Sequence, residues 1–121
     1  MAAGQRPTSA DEGSLVEIKH ATIIQVPSVH IGTGTTQITI PPIGPAYVAA
    51  AMLQAGCTVD LIDGVGEWID QYRDVDLAGG SYYVHGGTVE QIVGRISPHT
   101  ELIGISCMFS HGWPMSRLLV K

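Results

Sequence analysis

The chain has 121 residues, 45% of them hydrophobic and 14% charged, with 15 glycines and a formal net charge of −5. That length serves one domain with a modest core, and the balance excludes a coiled coil, a disordered tail and a basic nucleic-acid surface. Two cysteines, Cys57 and Cys107, are too few for a disulfide framework or for a three-cysteine iron–sulfur site within the chain.

Residues 1–19 read as a flexible leader rich in Ala, Gly, Ser and Thr, without the apolar segment of a signal peptide. No apolar run approaches the roughly 20 residues of a membrane span, so a cytoplasmic location is expected. Ala21 to Val26 is short, β-branched and closed by Pro27, which predicts a buried strand. Ser28 to Pro42 reads as a long loop, with a short extended piece around Ile38 and Ile40. The Ala-rich stretch from Pro45 predicts a helix, with Pro45 in its first turn and Gly56 just past its end. Cys57 to Gly64 predicts a second strand and completes a βαβ unit.

Residues 64–87 give weaker signals: a helical turn around Trp68, then Ser81 to His85 punctuated by Gly79-Gly80 and Gly86-Gly87. Thr88 is placed to cap a helix with Gln91 as its third residue and Glu90 in its first turn. Val89, Ile92, Val93 and Ile96 recur at helical spacing. Leu102 to Met108 is apolar throughout, as a central parallel strand would be. Phe109 to Pro114 follows as a loop, and Met115 to Lys121 opens a third helix. The expected fold is therefore α/β: a flavodoxin-like or Rossmann-like doubly wound parallel sheet, partial, with three strands over residues 20–121. Such sheets have roughly five or six strands, so the domain is expected to be incomplete at its C-terminus. Both cysteines have apolar neighbours and are expected to be buried and inert.

In an open parallel sheet, ligands bind beyond the carboxyl ends of the strands. Three loops converge there: Ser28–Gly44, Asp63–Gly66 and Phe109–Pro114. Gly32-Thr33-Gly34 is not a dinucleotide fingerprint, because Gln37 occupies the third glycine position. His20, His85 and His99 have no metal-ligand spacing, while His111 falls in the loop after the last strand. Asp63, Glu67 and Asp70 read as a turn cap and a solvated face. There is no nucleophile elbow, Walker loop or HExxH motif.

Two stretches go beyond generic patterning. Pro41-Pro42-Ile43-Gly44-Pro45-Ala46-Tyr47, continuing to Gly56 and Asp63, resembles the PP-x-G-x-x-Y-x-A-A signature of the cobalamin-binding N-terminal domain of B12-dependent radical SAM enzymes. Gly87 to Val93, then Ile103-Gly104-Ile105-Ser106-Cys107-Met108-Phe109-Ser110 with Trp113-Pro114, looks like the later part of the same domain. The resemblance implies cobalamin held in a flavodoxin-like cleft. It also implies a separate barrel domain or chain that binds S-adenosylmethionine and a [4Fe–4S] cluster, and radical methyl transfer to an unactivated centre. By matching position it implies cofactor contacts from Pro42, Gly44, Asp63, Ser106, Cys107, Phe109, Ser110, Trp113 and Pro114. The family commonly leaves cobalt without a protein histidine. His30 stands where other cobalamin modules carry their axial histidine, but Ser28 and Thr33 replace the Asp and Gly that accompany it. This chain lacks CxxxCxxC, so it is expected to carry cofactor contacts and no catalytic residue of its own. The alternatives are a non-catalytic cobalamin sensor or carrier module, and an inactive truncated fragment.

Overall fold

The computed structural model describes residues 17–30, 40–77, 80–108 and 112–121. Among them the chain forms β1 (His20–Gln25), β2 (Ser28–His30), α1 (Ile43–Gln54), β3 (Thr58–Asp63) and a 3-10 turn (Gly66–Trp68). It continues with β4 (Tyr72–Leu77), β5 (Gly80–His85), α2 (Val89–Arg95), β6 (Leu102–Ser106) and α3 (Trp113–Val120). The fold is α/β, with two three-stranded sheets in place of the single sheet expected.

The first sheet is parallel, in the order β3-β1-β6. β1 lies in the middle, and Ala21, Thr22, Ile23 and Ile24 are all buried. Burial on both faces is why this strand reads as a continuous run and does not alternate. Ile24 and Ile62 pack on one face against Ile92 of α2, with Trp68, Ile96 and Leu119 around them. α1 packs against β3 and β1. The chain steps from β1 to β3 in one direction and then from β3 across β1 to β6 in the other. Under the right-handed rule for parallel crossovers, steps in opposite directions put α1 and α2 on opposite faces.

The helix ends follow local chemistry. α1 closes in a Schellman motif: the Cys57 N–H donates to the Met52 carbonyl, the Gly56 N–H to that of Leu53, and Gly56 sits at φ +94°. α2 opens on the expected capping box. The Gln91 N–H donates to Thr88 Oγ1 at 3.1 Å, and the Thr88 N–H donates back to Gln91 Oε1 at 2.9 Å.

The second sheet is antiparallel, in the order β2-β5-β4. It corrects one expectation, since Ser28–His30 is a strand and not loop, and it resolves a stretch of weak signals into the antiparallel strands Tyr72–Leu77 and Gly80–His85. Pro27, fully buried, makes the step from β1 in one sheet to β2 in the other. Val29 and Val84 pack with Val26 and Met115 into a second core, flanked by Val75, Tyr82 and Leu118.

Three further expectations are corrected. β6 is apolar but stands at the sheet's edge among the described strands, so Leu102 and Ile103 are exposed. Cys107 is exposed and Cys57 half-buried, its thiol donating to the Ile18 carbonyl at 3.2 Å. Trp113 and Pro114 are the opening residues of α3 and not part of a loop, because Pro fits the first helical turn without losing a hydrogen bond. The extended piece expected at Ile38 lies outside the described residues. At the other margin, the expected leader 1–19 is described only from residue 17, and the Lys19 carbonyl already accepts from the Thr58 N–H at 2.8 Å.

Candidate functional site

The chain leaves β1 at Gln25 and β6 at Ser106, which are paired across the parallel ladder. Their exits diverge: the first turns through Val26 and Pro27 into β2, the second runs on to Cys107 and Met108. A cleft of about 470 Å³ opens between them, at the carboxyl ends of the strands. The strands on either side of β1 are reached by opposite crossovers, so this is the switch point at which α/β sheets bind ligands.

Four segments build the walls. Gln25, Val26 and Pro27 form the end of β1; Ser28, Val29 and His30 are β2; Ile40 to Pro45 run into the first turn of α1; Ser106, Cys107 and Met108 follow β6. Val65 and Gly112 complete the lining. The volume lies within the roughly 300–1,000 Å³ of small-molecule sites. The rim is apolar and open: Met108 is 78% exposed, Ile40 66% and Ile43 59%. The polar groups in the wall are the side chains of Gln25, Ser28, Ser106, His30 and Cys107, and none of the described lining residues is Lys, Arg, Asp or Glu.

The residues named by matching position divide into three groups. Pro42, Gly44, Ser106 and Cys107 line the cleft. Asp63, Trp113 and Pro114 do not belong to its lining. The Asp63 carboxylate turns back into its own loop, Oδ1 accepting from the Val65 N–H at 3.1 Å, while the Asp63 N–H donates to Glu67 Oε2. Glu67 Oε1 in turn accepts from Arg95 Nε at 2.7 Å. Asp63 and Glu67 thus cap a turn and tie it to α2. Trp113 is 58% exposed beside Gly112. Phe109, Ser110 and His111 lie outside the described residues. Among the described residues no group of three His, Cys, Asp or Glu is placed to hold a metal ion.

Sequence reasoning missed Gln25, Val26 and Pro27 at the end of β1, while Ser28 and Val65 fall in loops it had expected at the site. Ser28 and His30 enter the wall because β2 pairs with β5, Ser28 opposite His85 and His30 opposite Tyr83. The signal was available: Asp74-Val75-Asp76 alternates with period two, and the dipeptide Gly79-Gly80 is a sequence signal for a hairpin.

One glycine contact links the antiparallel sheet to the parallel one, beside another that extends the β1–β3 ladder. The Gly64 N–H donates to the Gln25 carbonyl and the Gly87 N–H to the Gly64 carbonyl, both at 2.8 Å. A side chain on Gly86, at φ +127°, would run into the Gly64 carbonyl. Arg73 clamps the same corner, its guanidinium donating to the Gly86 and Gly87 carbonyls at 2.8 Å each. Burial lowers the Arg73 pKa from its ordinary value, and the nearby Glu90 carboxylate opposes that shift.

Against this geometry the comparisons with known proteins are silent. No family model matches the chain, and neither a curated protein nor a solved structure matches it. Among the described residues no helix is long and apolar enough to cross a membrane.

Proposed function

We propose that the cleft at the ends of β1 and β6 binds cobalamin, as the cofactor-binding part of a B12-dependent radical SAM enzyme of the methyl-transferring kind. One observation carries this reading. The two stretches that resemble that family, Pro41–Pro45 and Ser106–Met108, lie about 60 residues apart in the chain and face one another across a single cleft. The parallel order β3-β1-β6 also agrees with the opening strands of a flavodoxin-like sheet, 2-1-3 in chain order.

The lining suits such a ligand. Pro41, Pro42, Ile43 and Met108 offer apolar surface to a corrin face, and the amide and hydroxyls of Gln25, Ser28 and Ser106 suit its amide side arms. Gly44 meets no atom within 4 Å of where a side chain would start, which leaves the α1 backbone open to a bulky ring. A corrinoid exceeds the cleft and extends past its open rim, where the partner barrel domain or chain with S-adenosylmethionine and its [4Fe–4S] cluster would meet it. Cobalamin, when bound, supplies the cobalt-borne methyl group; this chain's residues bind and orient it.

A titration with hydroxocobalamin, desalting and a visible spectrum test the reading. The expected result is retained cobalamin in a base-off spectrum without histidine on cobalt. Loss of all colour on desalting from a chain that unfolds cooperatively would sink it. The placement of His30 in the wall favours a second reading, a sensor or carrier module with imidazole on cobalt. That reading requires a histidine-ligated spectrum that His30→Ala abolishes.

A further inference from the structure

Independently of the corrinoid reading, we propose that the outer edge of β4 takes up an extended basic segment of another protein as an added strand of the antiparallel sheet. β4 ends the order β2-β5-β4, and its six residues pair with β5 in unbroken register. Among the described strands none lies on its other side, so alternate N–H and C=O groups of β4 point outward there. The strand carries no Pro, no Lys and no bulge, three of the features that blunt such an edge.

Period two gives β4 two unlike faces. Tyr72, Asp74 and Asp76 are exposed on the outer face, Arg73 and Val75 half-buried on the inner one. Aspartate is unfavourable in strands, yet two stand side by side in one row. Asp76 accepts from Ser81 Oγ through one oxygen and keeps the other, while the Asp74 carboxylate faces solvent. The strand's own cation does not balance them, because the Arg73 guanidinium donates to the Gly86 and Gly87 carbonyls. Two copies of the chain joined through β4 would set these aspartates against one another, and like charges across a strand pair destabilise it. A strand with Lys or Arg at alternate positions turns that repulsion into attraction.

The inner face supplies a separate feature. A cavity of about 170 Å³ opens between β4, α2 and α3. Val75, Val89, Met115 and Leu118 give it apolar walls, beside Arg73 and Glu90. None of its described lining residues belongs to β5 or β2, so it lies toward the outer edge of β4. Met115 is fully buried in the second core, and Val75, Val89 and Leu118 pack against that core. An aliphatic side chain entering the cavity extends this packing. Strand addition draws affinity from backbone hydrogen bonds and specificity from pockets for alternate side chains. The pattern that fits is Lys or Arg outward beside Asp74 and Asp76, and Val, Leu or Ile inward.

The probe is a labelled peptide of alternating Lys and Val, followed by fluorescence anisotropy and by hydrogen exchange of the β4 amides. It is expected to bind and to slow exchange in β4. Its Glu–Val and Lys–Ser counterparts are expected to bind at least about tenfold more weakly. Asp74→Lys with Asp76→Lys, both at exposed positions, should reverse the preference between the Lys–Val and Glu–Val peptides. Failure of the Lys–Val peptide to bind would overturn the proposal, as would equal binding of either counterpart. So would undiminished binding of a Lys–Val peptide with every backbone amide methylated, since charge without strand pairing would then suffice.

Discussion

The two sheets are built on opposite plans. The parallel sheet buries its central strand on both faces, with Ile24, Ile62 and Ile92 in one cluster. The antiparallel sheet packs its core on one face, through Val29 and Val84, and on the other turns Tyr72, Asp74, Asp76 and Ser81 to solvent. On that outer face Tyr72 stacks on His85 with ring centroids 4.1 Å apart, and His85 Nε2–H donates to the Ile69 carbonyl at 2.6 Å. The ring of Tyr72 covers the imidazole, which explains a buried histidine on a wet face. The lesson is a division of labour. The two-sided sheet is a frame whose strand ends define where a ligand sits. The one-sided sheet is a wall whose inner valines dock it and whose β2 edge closes the cleft. The glycine corner at Gly64, Gly86 and Gly87, with Arg73, joins them.

That corner is the place to break the arrangement. Gly86→Val forces a β-branched residue to positive φ and into the Gly64 carbonyl, so a loss of roughly 3–5 kcal/mol is expected in chemical denaturation. A loss below about 1 kcal/mol would show that the corner yields easily and that the two sheets are not held as described.

Arg73→Ala sharpens the comparison, because it removes the clamp and leaves the backbone turn intact. Two carbonyls of buried glycines lose their side-chain donor, and about 2 kcal/mol is the expected cost. Hydrogen exchange should quicken in β4 and β5 and stay slow in β1. Equal loss of protection in both sheets would contradict a division between frame and wall.

The smallest effect belongs to the frame's own helix. Thr88→Ala removes the α2 cap and should cost about 1 kcal/mol, with the cleft unchanged. Retained ligand binding in this variant, beside weakened binding in Arg73→Ala, would place site geometry in the wall and helix stability in the frame.

Much of the frame was legible from the residues. Pro27 after a β-branched run marked β1, Gly56 marked the end of α1, and Thr88 with Gln91 marked the start of α2, because each signal acts within a few residues of backbone. The hairpin escaped because Tyr72 to Leu77 mixes Arg, Asp and apolar residues at a low hydrophobic contrast, and the strand becomes a strand only by pairing with β5. Cys107 was misjudged for a related reason. Its neighbours in sequence are apolar, but it follows the strand at the edge of the described sheet and is exposed.

By itself, the sequence determined where the three parallel strands and three helices lie, the end of α1, the cap of α2, and the two segments that carry the family resemblance. These depend on side-chain period, on proline and glycine conformations and on short-range hydrogen bonds. Only the tertiary structure decided that Pro41–Pro45 and Ser106–Met108 share one cleft with Ser28 and His30, and that Asp63 turns away from it. Proximity of that kind is created by strand order and by packing between two sheets, and no local stretch of chain contains it.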